Sequence, residues 1–74
     1  MDVAEYLESL ISERDELQER HKKLNAFLER VRNGDVSENE LFCPFRVLNA
    51  QADVMREYLG ILDERIMIVK CSSR

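Results

Sequence analysis

Gln51, Tyr58 and Arg65 recur at intervals of seven, and Val47, Val54, Ile61 and Ile68 are interleaved with them at the same interval. Seven residues are close to two helical turns, so both sets line one side of any helix that contains them. An amide, a phenol and a guanidinium on one face suit a planar, anionic ligand. Arg offers a bidentate fork to phosphate or carboxylate, and Tyr offers a ring for stacking. Tyr and Arg are also enriched in subunit interfaces, so the spacing leaves ligand binding and assembly both open.

Arg14 and His21 form a second candidate set. They occupy consecutive positions of a seven-residue repeat in which Leu7 and Leu28 stand on either side. A buried charge is costly unless paired. Polar residues in such a seam select register and oligomer state, an Arg there can snorkel outwards, or the pair lines a polar pocket between helices. The candidate ligand-binding residues are therefore Arg14, His21, Gln51, Tyr58 and Arg65. Charge is also segregated, with seven acids and one Arg in residues 1–19 but five basic residues and one acid in residues 20–32. This arrangement complements a helix dipole. It also gathers Arg20, Lys22, Lys23, Arg30 and Arg32, joined by Arg46, where they would attract an anion.

Catalytic chemistry finds no foothold. The sequence has no Gly-rich phosphate loop, no H-E-x-x-H and no nucleophile elbow. With one His and two Cys it lacks the roughly four ligands of a zinc site. No catalytic residue, metal or cofactor is expected. Cys43 and Cys71 are expected to be reduced thiols of the structural kind, packed as small hydrophobes.

These candidates must be positioned by helices. Val3, Leu7, Leu10, Leu17, Leu24, Leu28 and Val31 recur at spacings of three and four, which predicts a helix over about residues 3–32. Asn33-Gly34 supplies residues suited to the left-handed conformation that ends it. A connector over about 33–43 contains Ser37-Glu38-Asn39-Glu40, with the spacing of a capping box and a single helical turn. Pro44 suits the first turn of a second helix, over about 44–70, whose stripe is Phe45, Leu48, Ala52, Met55, Leu59, Leu62, Ile66 and Val69. The fold class is all-α, an antiparallel two-helix hairpin in a single domain over 1–74. Matching the stripes places Leu28 near Leu48, His21 near Met55 and Arg14 near Leu62. The line Val47, Val54, Ile61 and Ile68 lies on another face that one partner helix cannot cover, so the hairpin is expected to assemble into a helical bundle or coiled-coil oligomer.

Composition agrees with that need for a partner. Seventy-four residues, 45% hydrophobic, 7% aromatic and without Trp, give little bulk for a self-contained core. The formal charge of −4 disfavours simple coating of nucleic acid or an anionic membrane. No apolar run approaches the roughly 20 residues that span a bilayer. The acidic start, Met1-Asp2-Val3-Ala4-Glu5, lacks the pattern of a signal peptide, and the expected location is cytoplasmic.

Glu13-Arg14-Asp15-Glu16-Leu17-Gln18-Glu19-Arg20, Lys23-Leu24, Phe27-Leu28 and Cys43-Pro44, followed by Leu48-x-x-Gln51-x-x-x-Met55-x-x-Tyr58-Leu59-x-x-Leu62-x-x-Arg65-Ile66, carry a resemblance. Over about residues 5–68 the chain resembles short phage and prophage helical-hairpin proteins related to a small reading frame of crAss-like phages. The resemblance implies a non-enzymatic phage protein in the host bacterial cytoplasm. Its pattern includes Gln51, Met55, Tyr58 and Arg65. Among small phage helical proteins, some counter bacterial defence by sequestering cyclic nucleotide signals in oligomeric assemblies, which makes a small nucleotide the implied ligand. The alternative is a protein-binding inhibitor or structural accessory protein that docks on a host or phage protein through its helical faces. A DNA-binding regulator is disfavoured by charge and by the lack of a helix-turn-helix of usual length.

Overall fold

A computed structural model describes residues 2–72. Two long helices, α1 (Val3–Arg32) and α2 (Phe45–Ser72), run antiparallel and are joined by a connector holding one 3₁₀ turn, Glu38–Glu40. The hairpin measures 52 by 17 by 15 Å. No described helix is long and apolar enough to cross a membrane.

Each terminus has a local cause. The Asp2 carboxylate accepts the Glu5 N–H at 2.8 Å and so satisfies one of the donors that a helix start leaves unpaired. At the other end of α1 the Gly34 N–H donates to the Val31 carbonyl and the Asp35 N–H to the Arg30 carbonyl. This double closure requires a left-handed residue, which Gly34 supplies at φ +83°. In the connector the Ser37 hydroxyl accepts from the Asn39 N–H at 3.3 Å, and the Ser37 carbonyl accepts from the Glu40 N–H. Pro44 lies one residue outside α2 rather than in its first turn. Its carbonyl accepts the first helical N–H groups, from Val47 and Leu48, and its own missing N–H needs no partner in either place.

The core is the seam between the two apolar stripes. Leu10, Leu28, Ala52, Leu62 and Ile66 are buried, Leu28 and Leu62 completely. Leu7, Ile11, Leu17 and Val69 close around Leu10, Leu62 and Ile66. Five buried side chains among the described residues make a small core, so the exposed side of α2 matters. Val47, Val54, Ile61 and Ile68 are between 43% and 63% exposed there.

Candidate functional site

Two of the long-range polar contacts between the helices define opposite edges of the hairpin. On one edge Arg14 Nη1 donates to Asp63 Oδ1 at 2.9 Å while its Nε donates to Asp15 Oδ1 at 2.7 Å. On the other, Arg65 Nη2 donates to the Tyr6 hydroxyl at 2.6 Å. Its guanidinium carbon also lies 5.9 Å from the centre of the Tyr6 ring. Asp63 and Arg65 are two residues apart, and on a helix that separates their directions by about 200°. The sequence-derived set is thereby divided into two groups.

Arg14 and His21 belong to the seam, both half-buried. The hydrogen bonds to Asp15 and then Asp63 raise the Arg14 pKa further above its ordinary value. Its charge is already met by two carboxylates, one of them across the seam. His21 Nε2 lies 3.1 Å from Asn25 Nδ2, one turn along α1. Both interactions are local to the hairpin, and neither group is brought against Gln51, Tyr58 or Arg65 by any described contact.

Gln51, Tyr58 and Arg65 are exposed along α2, beside the uncovered apolar line. Tyr6, 40% exposed, joins them from α1. Its contact with Arg65 restricts a side chain that would otherwise sample many rotamers, and one guanidinium edge remains available to an anion. Tyr6 is the residue that sequence reasoning missed. It stands one position before Leu7 and outside the apolar stripe, and only the antiparallel register brings it level with Arg65. It also lines, with Val3, Ile68 and Val69, a cavity of about 310 Å³ at the open end of the hairpin.

The tip holds a second concavity, about 550 Å³, between Phe27, Arg30, Leu41, Phe42, Cys43 and Leu48. Phe42 is fully exposed beside it. Arg32 is not a free cation there: it bonds Asn49 Oδ1 at 2.9 Å and Glu29 at 3.4 Å, and it sits 5.6 Å from the Phe45 ring centre. Cys43 and Cys71 are unpaired with each other and both exposed. The expectation of packed, structural thiols is therefore corrected: Cys43 falls in the connector and Cys71 in the last turn of α2, where no second layer covers them. Among the described residues no group of three or more His, Cys, Asp or Glu could hold a metal ion.

Residues 4–68 match the family model described as Sequestin. No curated protein and no solved structure matches the chain.

Proposed function

The chain belongs to the Sequestin family, and from that premise we propose that it is a non-enzymatic phage protein that binds and sequesters a small anionic nucleotide-type defence signal in an oligomeric helical assembly. The family description supports binding and retention, not turnover. The observation that carries the ligand class is the hydrogen bond from Arg65 to Tyr6 on the face that also bears Tyr58 and Gln51. A guanidinium held in place at an aromatic edge is prepared to meet a phosphate, and Tyr58 can stack on a base while Gln51 offers a donor and an acceptor to base edges. Restriction of Arg65 before binding lowers the ordering cost that a ligand must overcome. Covering this face with another subunit would remove water and strengthen the same contacts.

Native mass spectrometry of protein purified from bacteria tests the reading, because subunit count and retained small molecules are read together. The expected result is an oligomer carrying a phosphate-containing adduct that Arg65→Ala releases without loss of helicity. An assembly with no adduct, whose subunit count drops on Tyr58→Ala or Arg65→Ala, would contradict it. The face would then serve assembly or docking on a host or phage protein.

A further inference from the structure

The uncovered face of the hairpin has a self-complementary register. Tyr6 with Arg65 and Arg14 with Asp63 are level across the hairpin, and between them they place residues 16 and 17 of α1 level with Tyr58. On α1, Glu13, Arg20 and Phe27 follow Tyr6 at intervals of seven and so continue along the Tyr6 edge. Glu13 and Arg20 are centred on residues 16 and 17, and so are Tyr6 and Phe27. On α2, Gln51 and Arg65 are centred on Tyr58, while Val54 and Ile61, and Val47 and Ile68, are centred between Glu57 and Tyr58. Both helices thus share one centre at one height.

The geometry points to a second copy of this chain on that face, related by a two-fold axis perpendicular to the helices through Tyr58. Rotation about this axis lays each helix antiparallel on its equivalent. Val54 then meets Ile61 of the second copy, Val47 meets its Ile68, and Tyr6 meets its Phe27. Glu13 meets Arg20 of the second copy, an opposite-charge pair on each side of the axis. Neither residue takes part in an ion pair of the single chain among the described residues. Glu57 and Glu64 each precede a member of the polar line and turn about 100° further from α1, so they stay at the solvent edge. The 52 by 17 Å outline gives the face a footprint of roughly 900 Å², comparable to the ~800 Å² each partner contributes to a stable interface. Resting on the sequestering function proposed above, the pairing also completes the ligand site. Gln51 of one chain comes beside Arg65 of the other, with Tyr58 about 10 Å along the helix from each, so neither chain holds the whole site.

Sedimentation equilibrium of the full chain without added ligand tests the pairing. Glu13→Arg and Arg20→Glu should each weaken the dimer at least tenfold, and the double variant should return to within about threefold of the parent. Gln51→Glu should tighten the dimer several-fold at low salt, because it faces Arg65 of the second copy. In a parallel pairing position 51 would face itself, and the same substitution would weaken the assembly. A monomer at 100 µM, a double variant no better than the singles, or weakening by Gln51→Glu would each overturn the proposal. Failure of the ligand reading leaves these results unchanged, whereas Gln51→Glu binding a nucleotide less tightly in a tighter dimer separates the two.

Discussion

Arg65 on α2 is clamped by Tyr6 on α1 through a 2.6 Å hydrogen bond to the phenol and a guanidinium set 5.9 Å from the ring centre. The contact spans 59 positions of sequence and holds the exposed polar line of α2 to the start of the chain. Tyr6→Phe keeps the ring but removes the acceptor. Because Arg65 can then turn to water, the expected cost is about 1 kcal/mol or less, a fall of no more than about 8 °C in Tm at fixed protein concentration. Thermal unfolding followed by circular dichroism checks it, and a fall above ~15 °C would show that this edge carries more of the fold than one exposed contact.

Leu62 is completely buried at the centre of the seam, whereas Met67 is 65% exposed on the same helix. Leu62→Ala should destabilise by roughly 2–5 kcal/mol through lost burial and the cavity left behind. Met67→Ala should change stability by less than about 0.5 kcal/mol. Urea denaturation at one protein concentration compares them, and equal midpoints would contradict the assignment of the core.

The two glycines should respond with opposite signs although a Cβ meets open space at both. Gly34→Ala forces a side chain into φ +83° and should cost about 1 kcal/mol. Gly60→Ala, inside α2, should stabilise by up to about 1 kcal/mol because Ala loses less backbone freedom. The order Gly60→Ala, parent, Gly34→Ala in urea midpoint is expected, and a reversal would exclude the turn and helix as described.

Cys43, two residues before α2, and Cys71, in its last turn, are about 40 Å apart along the helix direction at 1.5 Å per residue, and both are exposed. Two thiols per chain should react with a disulfide reagent without denaturant, and the monomer band should run alike on reducing and non-reducing gels. An intramolecular disulfide needs Cα atoms within about 7 Å and would be incompatible with the hairpin.

The hairpin was legible because one periodicity served each helix. The stripe from Leu48 through Ala52, Met55, Leu59, Leu62 and Ile66 to Val69 is the face that turns inward, buried or half-buried throughout. Its register was legible too: Arg14, expected beside Leu62, bonds Asp63, the next residue, whose carboxylate stands at the edge of the seam. Details fixed by single local bonds were harder to read. The Asp2 cap and the place of Pro44 just outside α2 depend on which backbone groups the turn leaves free. Tyr6 was invisible as a site residue because its partner lies 59 positions away. Arg14 and Arg65 looked alike as polar interruptions of apolar seams. Only three dimensions show that one is neutralised by two carboxylates and the other is held by a phenol and a ring.

Calorimetric titration of the purified protein with cyclic di- and trinucleotides and ADP-ribose derivatives tests the central claim of sequestration most directly. The account predicts saturable heat for at least one such ligand, lost in Tyr58→Ala and Arg65→Ala while helicity is retained. Absence of heat across the panel from protein shown to be free of retained ligand, or binding that survives Arg65→Ala unchanged, would contradict it.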